Sequence, residues 1–178
     1  MTQTTPKVFA ISLPRTGTRT LREALTILGY RALHNPYPAW QQLVYDHAPP
    51  FQDIDFDAMT HCAFWHIDEL AAAYPGARFI YFDRQRPEWL RSIETKIGEP
   101  NGRRRPGLFI ARMATFGQVT FSREHHRNVF NRHRLYVEAA FSRVPGLWLT
   151  RYAWEPICQF LEQPVPDVPF PHIKDEPK

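Results

Sequence analysis

The sequence predicts an α/β fold built on an open parallel sheet. Short apolar runs that suit buried strands alternate with stretches whose apolar residues recur at helical spacing, and turn residues separate them. A chain of 178 residues is long enough for a single core, so we expect residues 1–178 to form one domain, with residues 1–6 disordered. In such a sheet, ligands bind at the carboxyl ends of the strands.

The chain begins with a strand, a polar loop and a helix. Val8–Ile11 is apolar, which predicts a short buried strand. Apolar residues recur at helical spacing over Leu21–Leu28, and Gly29 lies where a helix would end. The loop between them spans residues 14–20. Its amide groups and the positive end of the helix dipole point at one place, which favours an anion.

The composition of this loop also favours an anion. Gly17 lets the backbone approach a ligand closely. Hydroxyl groups and positive charges come from Arg15, Thr16, Thr18, Arg19 and Thr20. The Walker pattern does not fit, because Thr18 follows Gly17 where that pattern requires a lysine. We therefore predict a phosphate or sulfate site of another kind, the alternative being a loop that only caps a structural helix.

The rest of the chain predicts further strands and helices in alternation, separated by turn signals such as Pro49-Pro50 and Tyr74-Pro75-Gly76. Pro87 favours the first turn of a helix. In chain order we expect a strand at Tyr30–Leu33, a helix from Ala39 to His47, a weak strand at Phe56–Thr60, a helix at Phe64–Ala73, a strand at Arg78–Asp83, a helix begun by Pro87, two helices between Pro106 and Arg143, a strand at Leu147–Tyr152 and a helix at Trp154–Leu161. The apolar residues of the two middle helices line an acceptor pocket or, as we favour, fill the core; they are Phe109, Met113, Phe116, Phe121 and Phe130.

A second polar segment follows the strand that ends near Asp83. Arg84 lies at the carboxyl end of that strand, and Ser92 comes eight residues later, about two turns into the next helix. An arginine and a serine so placed can converge on one phosphate beside the first loop. The alternative is an exposed helix start with ordinary surface arginines.

Composition favours anionic ligands and excludes several classes of protein. Of 22 basic residues four are lysine and 18 are arginine, whose planar fork suits phosphate and sulfate, and the net charge is +4. We expect no nucleic-acid partner, because no recognised binding module appears. Two cysteines offer neither a disulfide framework nor a metal cluster. With no apolar leader and no run of membrane-spanning length, we expect a cytoplasmic protein without a membrane partner.

Three stretches resemble sulfotransferases, in family order. Pro14-Arg15-Thr16-Gly17-Thr18-Arg19 resembles the 5′-phosphosulfate loop, P-[KR]-[ST]-G-T-[TR]. Arg84 and Ser92 keep the spacing of the 3′-phosphate motif R-x-P-x-x-x-x-x-S, although Pro87 falls one residue later than usual. Trp154–Pro171 resembles the tail WEPLCxFLGxPVPDxPFP of the small bacterial and fungal branch. The aromatic and proline residues of this tail indicate a structural role, in which they hold an extended segment against the core. The chain is similar to that branch over most of its length.

The resemblance implies a three-layer α/β/α fold of the P-loop NTPase-like kind, with a short central parallel sheet. It implies the donor 3′-phosphoadenosine 5′-phosphosulfate (PAPS), whose sulfuryl group passes in line to a hydroxyl or amine of a small-molecule acceptor. The product is adenosine 3′,5′-bisphosphate, and the reaction uses neither a metal nor a covalent intermediate.

The resemblance also assigns residues to the donor. Arg15 stands for the loop lysine and neutralises the leaving phosphate, but it is a poor proton donor because its pKa exceeds ~12. The 5′-phosphosulfate would lie against Arg15, Thr16, Gly17, Thr18, Arg19 and Thr20, and the 3′-phosphate against Arg84 and Ser92. Thr20 stands where cytosolic relatives carry a tryptophan that stacks on adenine, so adenine recognition must come from elsewhere. The Arg-Lys-Gly segment that those relatives use for the 3′-phosphate is missing.

Histidine is the usual base near neutral pH, and the chain has eight. His61 is our candidate, because it follows Thr60 at the end of the weak strand and cytosolic relatives carry a Thr-His pair at similar spacing. His34 is the second candidate, because it ends the second strand. We expect His66 to be core or to support His61, and His133 to be a core residue.

Three interpretations remain open. The chain is a PAPS-dependent sulfotransferase, a non-catalytic relative that binds a nucleotide or anion, or, less favoured, a P-loop-type kinase. Residues 98–107 contain three consecutive arginines, which we interpret as a solvated mobile loop, with a lid over the donor as the alternative. The sequence does not decide the acceptor, nor whether the chain forms a homodimer.

Overall fold

The computed structural model describes residues 6–43, 49–61, 64–98 and 106–173. Strands and helices alternate through these residues, except that three helices follow β4. In chain order they are β1 (Val8–Ala10), α1 (Thr18–Ile27), β2 (Ala32–His34), α2 (Tyr37–Gln41), β3 (Ala58–Thr60), α3 (Ile67–Ala73), β4 (Arg78–Phe82), α4 (Arg86–Gly98), α5 (Pro106–Phe116), α6 (Arg123–Phe141), β5 (Gly146–Leu149) and α7 (Trp154–Leu161).

The strands form one parallel sheet in the order β2-β3-β1-β4-β5. At its centre, Phe9 of β1 pairs with Met59 of β3 on one side and with Phe79 of β4 on the other. Because every strand runs in the same direction, the carboxyl ends meet along one edge of the sheet. The chain crosses over β1 between β3 and β4, so the crevice at which α/β sheets bind ligands opens at the end of β1.

Two apolar clusters cover the two faces of the sheet, because side chains alternate along each strand. On one face, Phe9, Phe79 and Tyr81 pack against buried residues of α3, α4 and α6 such as Leu70, Trp89 and Val137. On the other, Val8, Ala10 and Ile80 pack against Leu21 and Leu25 of α1 and Ile157 and Leu161 of α7. The molecule is therefore three-layered, and the predicted α/β fold class is confirmed.

Several boundaries differ from the predicted ones. α2 begins at Tyr37, two residues before the predicted start at Ala39. The helix can include Pro38 because this proline lies in the first turn, where its missing N–H costs nothing. α3 begins at Ile67 instead of Phe64, and the Ile67 N–H donates to the hydroxyl of Tyr136 at 2.9 Å. β5 ends at Leu149, three residues before the predicted end at Tyr152. Tyr152 lies outside the sheet, and its hydroxyl donates to the Thr16 carbonyl in the loop after β1.

The core prediction for α5 was wrong for two residues. Phe109 and Met113 are 53% and 42% exposed. α5 meets the core through its carboxyl-terminal turn, where Arg112, Thr115 and Phe116 are buried. Phe130 of α6 is buried as expected.

Some predictions fall outside the described residues. They concern residues 1–5, which we expected to be disordered, residues 44–47 of the predicted helix from Ala39 to His47, Cys62, and residues 99–105 of the arginine-rich loop. Within the described ranges, none of the helices has the length and apolar character needed to cross a membrane.

Candidate functional site

The loop between β1 and α1 lies at the centre of the carboxyl edge of the sheet. The strands β3 and β2 lie to one side of it, and β4 and β5 to the other. Each side contributes its own groups: two histidines follow or end β2 and β3, whereas an arginine and aromatic rings follow β4 and β5. The site therefore consists of the loop and two flanks that differ in chemistry.

Two residues of the loop have left-handed backbone. Arg15 has φ +71° and Gly17 has φ +85°. A Cβ atom at Gly17 would lie 2.8 Å from Cε2 of Tyr152, closer than real Cβ atoms come to their neighbours. Both the backbone conformation and the packing against Tyr152 therefore require glycine at position 17.

Four consecutive carbonyl groups of this loop accept hydrogen bonds from side chains. The Thr16 hydroxyl donates to Leu13 at 2.7 Å, Trp89 Nε1 to Pro14 at 2.8 Å, Arg84 Nη1 to Arg15, and the Tyr152 hydroxyl to Thr16 at 3.0 Å. Three of these donors come from the segments after β4 and β5. Because side chains bind the carbonyl oxygens, the loop is held in its unusual backbone conformation before any ligand arrives.

The first turn of α1 completes the candidate anion site formed by residues 14–20, which we call the cradle. Gly17 is its N-cap and has no side chain that could accept from the amides of that turn. By contrast, the N-cap of α6 is Ser122, whose hydroxyl accepts from the His125 amide. The first amides of a helix have no partner within the helix and carry the positive end of its dipole. At α1 those amides belong to Thr18, Arg19 and Thr20. All three are residues that the sequence predicts to bind the 5′-phosphosulfate.

The structure brings together the two polar segments that the sequence singles out. Arg15 Nε donates to Ser92 Oγ at 3.0 Å, and Arg84 bonds the Arg15 carbonyl. Arg84 Nε also lies 3.7 Å from the Glu88 carboxylate, one helical turn away. Arg15, Arg84 and Ser92 thus occupy one location, as expected if both segments bind one nucleotide.

A pocket of about 390 Å³ opens on the β4 and β5 side of the loop. Its lining combines the loop with the segments after β4, after β5 and after α7: Thr16, Gly17, Thr20, Phe82, Arg84, Tyr152, Phe170, Pro171, His172 and Ile173. Four of these lining residues were predicted to bind the donor nucleotide: Thr16, Gly17, Thr20 and Arg84. Arg84 gives the pocket a positive charge, and Phe82, Tyr152 and Phe170 contribute aromatic rings.

The β2 and β3 side of the loop carries two adjacent histidines. The ring centroids of His34 and His61 are 5.1 Å apart. His34 Nδ1 lies 2.8 Å from Thr60 Oγ1, and His61 Nδ1 lies 3.4 Å from Thr18 Oγ1. His61 is therefore the histidine that contacts the cradle, through Thr18. His34 contacts Thr60 instead, the residue before His61 in the chain.

Both histidines are held neutral. Burial lowers the pKa of His61 to about 3, and the neighbouring His34 and Arg15 add to the effect. Burial lowers the pKa of His34 to about 4, with Arg19 and Arg22 adding to it. Each imidazole is therefore in the neutral form that a general base requires near pH 7, and the lowered pKa makes each a weaker base than a free imidazole.

Further histidines belong to the segments around α3 and α6. His66 is the N-cap of α3, and its Nδ1 lies 3.9 Å from the Glu69 carboxylate. His133 is fully buried, as expected, and its Nε2–H donates to the Phe64 carbonyl at 3.0 Å. His126 is also fully buried in α6.

Sequence reasoning missed several residues of the site. Trp89 and Tyr152 bond loop carbonyls, and Phe170 to Ile173 line the pocket, although we interpreted the tail as purely structural. A signal existed for Trp89 and Tyr152, since each is a polar-tipped aromatic ring close to the end of a parallel strand. In the part of the chain that the structure describes, no three His, Cys, Asp or Glu side chains cluster as a metal site would require.

Comparison with known proteins adds a family and a fold. A family model described as a sulfotransferase domain matches residues 7–178. The Ava biosynthesis cluster protein M of Aspergillus versicolor is 29% identical over 219 aligned positions, which cover 94% of this chain and 80% of that protein. The crystal structure of a sulfotransferase from Alicyclobacillus acidocaldarius superposes with a TM-score of 0.56 at 15% identity, covering 97% of this chain and 87% of that one.

Proposed function

The chain belongs to the sulfotransferase family, as its sequence motifs indicated, and we propose that it transfers a sulfuryl group from PAPS to a hydroxyl or amine of a small molecule. The observation that carries the proposal is the loop itself: side chains bind the carbonyls of Leu13 to Thr16, and both polar segments meet there. A preorganised cradle of this kind suits a ligand with two anionic groups.

The donor binds on the β4 and β5 side of the loop in this proposal. The amides of Thr18, Arg19 and Thr20 and the hydroxyl groups of the loop hold the 5′-phosphosulfate. Arg84 and Ser92 hold the 3′-phosphate. Arg84 has five N–H donors, so it can bond the Arg15 carbonyl and still offer donors to a phosphate in the pocket that it lines.

Arg15 supplies charge at the reacting group. Its Nε bond to Ser92 fixes the direction of the guanidinium. A fixed positive charge there stabilises the negative charge that develops on the leaving phosphate, without transfer of a proton from arginine. Charge neutralisation therefore comes from guanidinium and amide groups, and the proposal requires no metal ion.

The acceptor approaches from the β2 and β3 side. His61 removes the proton from its hydroxyl or amine, because this ring contacts Thr18 of the cradle and is neutral in the folded protein. A bound anion offsets the charge of Arg15, which contributes to the low pKa of His61. Donor binding is therefore expected to raise the pKa of His61, while burial and His34, the larger causes of its low value, remain. Attacker and leaving group then lie on opposite flanks of the loop, the arrangement that in-line transfer needs.

Calorimetry with adenosine 3′,5′-bisphosphate tests the donor site. We expect binding by the unaltered protein and a loss of about 10- to 100-fold in Arg84→Ala, because hydrogen bonds to charged groups are lost. Arg86→Ala is the matched control, since Arg86 bonds Asn131 on α6 instead of the loop. Transfer of labelled sulfate from PAPS to a panel of phenols, alcohols and amines then separates an enzyme from a relative that only binds. Tight binding of ATP with Mg²⁺, and none of the bisphosphate, contradicts the proposal.

A further inference from the structure

We propose that the segment Phe170–Ile173 forms one wall of the nucleotide pocket and that Phe170 stacks on the purine base of the donor. The inference rests on the proposed function, since it assigns the part of the donor that the loop does not bind. It gives a binding role to a stretch whose aromatic and proline residues indicated only a structural one.

The pocket lies between this segment and the loop. Thr16, Gly17 and Thr20 line it from the loop, and Pro171, His172 and Ile173 line it from the opposite side. With a volume of about 390 Å³ it falls in the range of small-molecule sites, large enough for a nucleoside. Arg84 also lines this pocket, so the 3′-phosphate and the base would share one cavity.

Three aromatic rings form a parallel stack along the pocket. The rings of Phe82 and Tyr152 are 4.3 Å apart between centroids with a 9° interplanar angle. Tyr152 and Phe170 are 5.9 Å apart at 10°. Phe170 ends the stack and is only partly buried. A base that joins the stack at Phe170 gains ring contact, since every base has a π face.

The segment is held in place at both of its ends. The Trp154 indole N–H donates to the Val168 carbonyl at 2.7 Å, and its ring meets Phe170 edge-on at 4.7 Å. The Ile173 amide donates to Thr20 Oγ1 at 3.2 Å, in the first turn of α1. The backbone of Ile173 therefore lies against Thr20 of the cradle. The Thr20 side chain is itself too small to stack on a base.

Two calorimetric probes isolate the base: adenosine 3′,5′-bisphosphate, and ribose 3,5-bisphosphate, which carries the same phosphates without a base. Phe170→Ala should weaken binding of the first probe about 10-fold or more, the cost of a lost base stack, and leave the second unchanged. Phe170→Trp should retain binding of the first. Val168→Ala is the control, because Val168 lies in the same tail, is exposed, and contributes only its carbonyl.

Each outcome decides between the two claims. A stable Phe170→Ala protein with unchanged affinity for adenosine 3′,5′-bisphosphate overturns the inference. If that variant does not fold, Phe170→Leu and Phe170→Trp take its place, and equal affinities of these two overturn it as well. Equal binding of both probes by the unaltered protein also rejects the inference but leaves the proposed function standing. Binding of neither probe removes the proposed function itself.

Discussion

Nε of Arg15 donates a hydrogen bond to Oγ of Ser92 at 3.0 Å, although 77 residues separate the two along the chain. Arg15 lies between β1 and α1, and Ser92 lies two turns into α4. The bond fixes the direction of a charged side chain whose backbone is left-handed. In the proposed mechanism, Ser92 therefore binds the 3′-phosphate of the donor and also orients Arg15.

Ser92→Ala removes the acceptor of the Arg15 guanidinium. We expect affinity for adenosine 3′,5′-bisphosphate to fall about 10-fold, because a charged hydrogen bond and the orientation of Arg15 are lost. Calorimetry measures the change. Thr95→Ala is the control, since Thr95 is exposed on the same helix and bonds only the Arg91 carbonyl. Equal losses in the two variants would show that the effect is on α4 as a whole.

Tyr152→Phe removes the hydroxyl that bonds the Thr16 carbonyl but keeps the ring stacked on Phe82. We expect donor affinity to fall about 3- to 10-fold, the value of one neutral hydrogen bond that orders the cradle. Tyr136→Phe loses a comparable hydroxyl contact, to the Ile67 amide, far from the loop. If calorimetry finds unchanged binding in Tyr152→Phe, the carbonyl contacts do not organise the site.

Gly17→Ala imposes two penalties, a left-handed backbone and a contact of 2.8 Å with Tyr152. Gly76→Ala imposes only the first, because Gly76 has φ +81° and open space where a Cβ would lie. Both variants should lose about 1–2 kcal/mol of unfolding free energy from the backbone strain, measured by urea denaturation. The Gly17 variant should lose more, and it alone should lose donor affinity. A Gly17→Ala protein that binds the bisphosphate normally would contradict the close approach of ligand and loop.

His61→Ala should keep donor binding and reduce turnover about 10²-fold or more, the usual contribution of a general base. His34→Ala is the matched comparison, since His34 is adjacent but bonds Thr60 instead of the cradle. The measurements are single-turnover sulfate transfer and calorimetry with the bisphosphate. Loss of turnover in the His34 variant alone would reassign the base to His34.

The pH dependence of kcat/KM gives an independent reading of the same residue. Because the pKa of His61 is lowered to about 3, the ring stays neutral as the pH falls from 8 to 5. This residue therefore adds no acid limb near pH 6.5 to the free enzyme. An acid limb near pH 6.5 that disappears in His61→Ala would contradict this assignment.

The burial of His133 predicts that the folded protein loses stability in acid. Burial lowers its pKa to about 4, whereas an unfolded histidine titrates near ~6.5. Below that value the unfolded chain binds a proton that the folded protein does not, so unfolding free energy falls as the pH drops toward 4. The slope from this one residue approaches ~1.4 kcal/mol per pH unit. Urea denaturation at pH 7 and 5 measures it, and His133→Gln should flatten the slope; an unchanged slope would contradict the prediction.

Sequence alone determined the fold class and the cradle, because both depend on local patterns. The apolar run from Val8, the polar loop and the helix spacing after it specify strand, loop and helix within about two dozen residues. The spacing of Arg84 and Ser92 places the first at the end of a strand and the second about two turns into the next helix, without knowledge of the rest of the chain.

Only the tertiary structure decided what surrounds the cradle. The strand order brings Trp89 and Tyr152 to the loop carbonyls from 75 and 136 residues away, and it brings Ile173 to Thr20 from 153. It also determines that His61 contacts the cradle and that His34 is bonded to Thr60 instead. Periodicity and turn chemistry describe neighbours along the chain, whereas these contacts depend on which strands lie side by side and where each strand ends.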